Sequence, residues 1–274
     1  MLGVEAVPLI TSASAGFQPK VEDCRSLLTD KTKAIALVSP NNPVGVLPDP
    51  GALYAPDLLR EFAELAKSRD IALILDETYR DFITTGVPHH LFEPSHDWDW
   101  RHTLIHLFSF SKSYCVPGHR LGAIVAPKMV LNHVVTVLDS LLRCAPRPIQ
   151  LALASTLPHL RSFIRESAQA VRCRHEHFKA RLPSSWKIGS QGGYFAFVRH
   201  PFKGRDAIQV CERLSAEGGI VVLPIEIFAA GATLQETDGK RWMRFSVANV
   251  NNETISQVCQ RLSEIERQFG WELD

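Results

Sequence analysis

The sequence predicts an α/β protein: a mainly parallel sheet with flanking helices, followed by a smaller α+β domain. Three observations predict this. Short apolar runs alternate with amphipathic stretches through the first half of the chain. Those runs are too uniformly apolar for strands with one wet face, which argues for a sheet covered on both sides. The second half changes character, with a long charged helical stretch and then three short strand-like runs. The expected division is a large domain over 1–147 and a small C-terminal domain over 148–274. The boundary falls near Pro146–Pro148, and a long helix enters the small domain.

Each element follows from local pattern. Val4–Ile10, Ala34–Val38, Ile71–Leu75, Leu104–Phe108 and Leu121–Ala126 have strand length and end at turn or polar residues. Asp57–Arg69 places Leu58, Leu59, Phe62, Leu65 and Ala66 at helical spacing, and Asp57 after Pro56 is a helix start signal. Met129–Arg143 reads as a second helix. Pro148–Leu182 reads as one long helix, or as two joined at Pro158. Tyr194–Val198, Ile220–Leu223 and Trp242–Val247 read as strands, and Asp206–Glu217 and Glu253–Phe269 as helices.

Composition narrows the function classes. Apolar residues form 45% and charged residues 22% of the 274-residue chain, the ordinary balance of a globular protein. With 30 Lys plus Arg against 29 Asp plus Glu, the net charge is +1, so the strong positive field that nucleic-acid binding draws on is missing. No apolar run approaches the roughly 20 residues that span a bilayer. The six cysteines form no C-x-x-C pair and are expected to be free, mostly buried thiols in a reducing compartment. Ala13-Ser14-Ala15 has the form of a signal-peptidase site, but no Lys or Arg precedes it, and Glu5 and Pro8 break the apolar run. The expected location is cytoplasmic.

In open α/β sheets ligands gather at the carboxyl ends of strands, so the residues following each run carry the candidates. Ala34–Val38 is followed by Ser39-Pro40-Asn41-Asn42-Pro43-Val44-Gly45, and Ile71–Leu75 by Asp76-Glu77-Thr78-Tyr79. Leu104–Phe108 is followed by Ser109-Phe110-Ser111-Lys112, with Arg120 eight residues past the lysine. Taken singly these are a turn, a cap and an exposed lysine. Taken together they offer an amide, a carboxylate with a phenol, two hydroxyls with an amine, and a guanidinium. A lysine after a buried strand, near a cation, is suited to forming a Schiff base. A carboxylate at such a strand end suits a cationic ring nitrogen. Ser109, Ser111 and Arg120 suit an anion. Arg244, amid Trp242-Met243-Arg244-Phe245-Ser246, is either an edge-strand residue with its head in water or a two-pronged clamp for a carboxylate.

In this combination the chain resembles the class I/II aminotransferases, pyridoxal-phosphate enzymes of fold type I. The residues that carry the resemblance are Asn41-Asn42-Pro43-Val44-Gly45, Asp76-Glu77-Thr78-Tyr79, Ser109-Phe110-Ser111-Lys112, Gly118-His119-Arg120-Leu121-Gly122, Gly192-Gly193-Tyr194-Phe195 and Arg244-Phe245-Ser246, in the family's order along nearly the whole chain. The resemblance implies pyridoxal 5'-phosphate as cofactor, with Lys112 as the catalytic Schiff-base lysine. It implies that Asp76 pairs with the pyridinium nitrogen, that Tyr79 and Asn42 bond the phenolic oxygen, and that Ser109, Ser111 and Arg120 bind the phosphate. It gives Arg244 the substrate α-carboxylate. It further implies an amino acid and a 2-keto acid as substrates, a homodimer, and no metal. Val44 stands where the family often has Thr, and Ile225 and Ala229-Ala230 where it is often richer in Gly. Family chains also carry a segment ahead of the run at Val4–Ile10, which supplies a helix terminus for the phosphate and an aromatic ring over the cofactor. The resemblance therefore implies an N-terminally truncated member with a partial large domain and a weaker cofactor site.

Two other readings use the same residues. A carbon–sulfur β-lyase, or an elimination like that of aminocyclopropane-carboxylate synthases, also begins with deprotonation at Cα. A truncated chain with no catalysis is the third. Release of pyruvate and ammonia without an added keto acid marks the lyase, and a yellow bound cofactor separates either enzyme from the inert remnant.

Overall fold

A computed structural model describes residues 3–45, 54, 56–84, 86–228 and 239–274. Ala229-Ala230 lie outside the described residues. The chain forms two compact units, one of Val21–Pro40 and Gly51–Gln169, the other of Met1–Lys20, Asn41–Pro50 and Ala170–Asp274.

The first unit begins with helix α1 (Val21–Leu27) and strand β1 (Ala34–Val38). Helix α2 (Pro56–Ser68) leads to β2 (Ala72–Asp76). Leu59, Phe62, Ala63 and Ala66 recur at helical spacing and are fully buried, the stripe with which α2 packs on β1 and β2. Removing side chains such as Leu59 and Phe62 from water stabilises the unit by about 1.5–3 kcal/mol each. Strand β3 (Leu104–Ser109), the single-turn helix α3 (Phe110–Ser113) and strand β4 (Gly122–Val125) follow. The unit ends in α4 (Lys128–Leu141), α5 (Arg147–Thr156) and the start of α6 (Arg161–Arg181). A 3₁₀ turn at Leu157–His159 separates the last two, so the stretch from Pro148 is two helices joined at Pro158.

The sheet order is β1-β2-β3-β4. The first three strands are parallel and β4 is antiparallel. Register places Val38 beside Asp76, Asp76 beside Leu107 and Ser109 beside Gly122. The carboxyl ends of β1, β2 and β3 and the start of β4 thus share one sheet edge. The sheet is mixed α/β and mainly parallel, as the sequence predicts.

The second unit holds an antiparallel sheet of order β5-β6-β8-β7, made of β5 (Lys187–Gly192), β6 (Phe195–Arg199), β7 (Leu223–Pro224) and β8 (Trp242–Ser246). Helices α7 (Ala207–Gly218) and α8 (Asn252–Gln268) bury Val210, Leu214, Ile255, Cys259, Leu262 and Ile265 in a core with Phe178, Trp186, Val198, Phe202, Met243 and Phe245. Asp206 caps α7 through a reciprocal bond with Gln209.

Three expectations are corrected, and one strand is added that the sequence did not suggest. Val4–Ile10 is not a strand: it joins no ladder among the described residues, and Val4, Val7 and Ile10 are 81%, 58% and 52% exposed. Pro8 lacks the N–H that a ladder needs. Of Ile220–Leu223 only Leu223 pairs among the described residues, with Arg244, although Ile220 and Val222 are buried in the core. β5, with Gly189, Ser190, Gln191 and Gly192, was illegible as a strand because it lacks an apolar face. The thiols are not in disulfides among the described residues, but they are not mostly buried: Cys24, Cys211 and Cys259 are buried, whereas Cys115, Cys144 and Cys173 are exposed. Among the described residues no helix is long and apolar enough to cross a membrane.

Candidate active site

In the parallel-sheet unit, chain direction delivers the candidates to one edge. Asp76 is the last residue of β2. Thr78 N and Thr78 Oγ1 donate to its Oδ1 at 2.9 and 2.7 Å, an Asx turn that fixes the carboxylate through one of its two oxygens. Tyr79, three residues on, is buried. Ser109 ends β3, and its Oγ accepts from Ser111 N at 3.3 Å, which starts the turn of α3. Ser111 is buried and Lys112 half-buried within that turn. Arg120 precedes β4 in a left-handed conformation (φ 55°), exposed, with Nη1 donating to Pro117 O at 2.9 Å. Thus Asp76, Tyr79, Ser109, Ser111, Lys112 and Arg120 sit at or beside neighbouring strand ends of one sheet.

Behind Asp76 lies a cluster that sequence reading missed. Glu77 Oε2 accepts from His106 Nε2 (2.7 Å), Arg80 Nη1 (2.8 Å) and His89 Nε2 (3.1 Å). The Glu77 and His89 side chains are fully buried. Burial pushes the Glu77 carboxyl up, but the bonds from His106 and His89 and the charge of Arg80 outweigh it and hold the carboxyl at about 2. The histidines lie 12 and 29 residues from Glu77, a spacing with no motif to signal it. The one available sign was a second acid directly after Asp76.

In the antiparallel-sheet unit, Asn42 and Arg244 meet. Asn41 and Gly45 close the loop that carries Asn42, through N–H···O bonds of 3.1 and 2.8 Å. Ser190 Oγ donates to Val44 O. Gly45 has φ 77°, and a Cβ there would stand 2.7 Å from Phe195 O and 2.9 Å from Gly192 N. Arg244 Nη1 donates to Asn42 Oδ1 at 2.6 Å. Its guanidinium lies 4.3 Å from the centre of the Phe195 ring and 4.7 Å from that of Phe228. Arg244 is therefore a half-buried guanidinium with two aromatic rings beside it. The flanking rings were not anticipated from the sequence. Among the described residues no group of three or more His, Cys, Asp or Glu is arranged to hold a metal ion.

The fold is that of the fold-type-I enzymes. An aromatic aminotransferase from Pyrococcus horikoshii OT3 matches it with a TM-score of 0.82 at 24% identity, over 96% of this chain and 67% of that one. The chain belongs to the family described as aminotransferase class I and II, whose sequence profile matches residues 1–262, and whose members use pyridoxal phosphate. It is similar to an aspartate aminotransferase of Sulfolobus acidocaldarius, 27% identical over 261 residues, 93% of this chain and 61% of that protein. It is also similar to a capreomycidine synthase of Streptomyces vinaceus, 28% identical over 222 residues, 78% of this chain and 53% of that protein. The chain spans about three fifths of the length of the first curated relatives it matches.

Proposed function

We propose that this chain carries the site of a pyridoxal-phosphate-dependent aminotransferase that moves an amino group between an amino acid and a 2-keto acid. The observation that carries the reading is the donor set at one sheet edge: a carboxylate, a phenol, an amine, two hydroxyls and a guanidinium. That set complements a ligand with a basic ring nitrogen, a phenolic oxygen, an aldehyde and a phosphate, so the residues fit the cofactor. Asp76 would face the ring nitrogen and keep it protonated. Tyr79 and Asn42 would bond the phenolic oxygen. Ser109, Ser111 and Arg120 would take the phosphate, and Lys112 would hold the cofactor. When bound, the cofactor supplies an electron sink for the pair left when the Cα–H bond breaks.

The chain's own residues do the rest. Arg244, held by Asn42 and flanked by Phe195 and Phe228, would clamp the substrate α-carboxylate through its two-pronged fork. Lys112 Nζ would take the Cα proton as general base and return a proton as general acid. The proposed assembly is a homodimer, and the proposed location cytoplasmic.

The relative named capreomycidine synthase favours a second reading, in which the same residues serve another reaction that starts at Cα. The test is incubation with pyridoxal phosphate, a panel of amino acids and a 2-keto acid. Formation of a new amino acid with the matching keto acid supports transamination. Pyruvate and ammonia without an added keto acid support elimination. No turnover with any donor refutes both.

A further inference from the structure

We propose that Glu77 is a positioning residue: from beneath the β2 terminus it holds the Asp76–Tyr79 turn so that the Asp76 carboxylate meets the ring nitrogen of the cofactor. The proposal rests on the site reading given above and deepens it.

Asp76 and Glu77 are consecutive at a strand end, so their side chains leave on opposite faces. Glu77 N donates to Leu107 O at 2.9 Å, which carries the β2–β3 ladder one residue past Asp76. The Asx turn made by Thr78 fixes the upper side of this segment. Glu77 holds the lower side, through groups from three places. Arg80 comes from the 3₁₀ turn after Tyr79, and its N–H also donates to Glu77 O at 3.0 Å. His106 comes from β3, three residues before Ser109. His89 comes from the irregular stretch between that 3₁₀ turn and β3.

His89 is itself hydrogen-bonded, and a ring packs against both imidazoles. His89 Nδ1 accepts from Leu91 N at 3.1 Å, which leaves Nε2 as the protonated nitrogen that donates to Glu77. Phe92 packs against both imidazoles, with ring centres 5.6 Å from His89 and 5.3 Å from His106. The donors all converge on Oε2, and Glu77 Oε1 is buried with no hydrogen-bond partner among the described residues. Here one oxygen gathers three donors, from β3, the 3₁₀ turn and the stretch between them, beneath the residue assigned to the ring nitrogen. Support of this kind fixes the direction of a side chain that ligates.

The test measures dissociation constants for pyridoxal phosphate and for its analogue with C–H in place of the ring nitrogen. The unaltered chain, Asp76→Ala, Glu77→Gln and His106→Asn are compared, and each cofactor-free protein is also melted. The unaltered chain should prefer pyridoxal phosphate, and Asp76→Ala should abolish that preference. Glu77→Gln should lower the preference about tenfold, at the lower end of what losing the support behind a ligating side chain costs, with the analogue's affinity nearly unchanged. His106→Asn, which removes one donor and leaves the carboxylate intact, should lower it by a smaller factor and decides the matter if Glu77→Gln does not fold. Equal weakening of both ligands, or an unchanged preference, in the variant that folds overturns the proposal. Absence of any preference in the unaltered chain, or its persistence in Asp76→Ala, overturns the site reading instead.

Discussion

Replacing Gly45 by alanine tests whether the loop carrying Asn42 is held by close backbone contact. Gly45 and Gly204 share a unit and a left-handed backbone, φ 77° and 64°. They differ in surroundings: a Cβ at Gly204 meets nothing within 4 Å, whereas at Gly45 it meets Phe195 O at 2.7 Å and Gly192 N at 2.9 Å. The left-handed conformation costs an alanine about 1–2 kcal/mol at either site. The stiffer unfolded chain returns about 0.4–1 kcal/mol at either site. Gly204→Ala should therefore destabilise by no more than about 1.6 kcal/mol. Gly45→Ala adds an overlap with backbone atoms that cannot swing aside, about 1–3 kcal/mol more. A unit of this size loses about 2–4 °C of melting temperature per kcal/mol, so Gly45→Ala should melt about 2–12 °C below Gly204→Ala. Circular dichroism of the cofactor-free chains measures the difference. Because the displaced loop carries the acceptor of Arg244 Nη1, Gly45→Ala should also weaken amino-acid binding, and Gly204→Ala should not. Melting of the two variants within 2 °C of each other would refute the reasoning from close approach.

Other predictions are more local. The Asp274 carboxyl is held at about 2 by hydrogen bonds from Arg241 and Arg199, against burial. A depressed folded value contributes stability in full above about pH 4, lost as pH falls toward 2, so Asp274→Asn should flatten urea stability across that window, and an unchanged acid limb contradicts this. Without denaturant a thiol reagent should label Cys115, Cys144 and Cys173, and all six cysteines only on unfolding. Burial pushes the Cys211 thiol to about 12 and the Cys259 thiol to about 11, so rapid native labelling of either sinks that reading. Arg244→Lys keeps the charge but loses the planar fork, so kcat/KM for amino acids should fall about ten- to a hundredfold, in line with losing one hydrogen bond to a charged group. Cofactor binding should stay nearly intact; its loss would make Arg244 a structural or phosphate residue.

The legible parts of the chain are those where local pattern and tertiary role agree. β1 was readable because Ile35 and Leu37 are buried within an unbroken apolar run. α2 was readable because its buried stripe keeps helical spacing. Asp76, Ser109, Lys112 and Arg120 stood out because each follows or precedes such a run, and strand direction then carries them to one edge. Partnership decided the failures. Val4–Ile10 has apolar residues but joins no ladder among the described residues, and β5 pairs with β6 despite Ser190 and Gln191. The Glu77 cluster and the Phe195–Arg244–Phe228 stack unite residues far apart in the chain, which only the fold brings together.

The claim that Lys112 holds the cofactor is tested most directly by borohydride. The chain is loaded with pyridoxal phosphate, reduced, digested and mapped by mass spectrometry. One pyridoxyl label is expected, on Lys112, lost in Lys112→Ala and competed by an amino-acid substrate before reduction. A label on another lysine, or none at saturating cofactor, would contradict it.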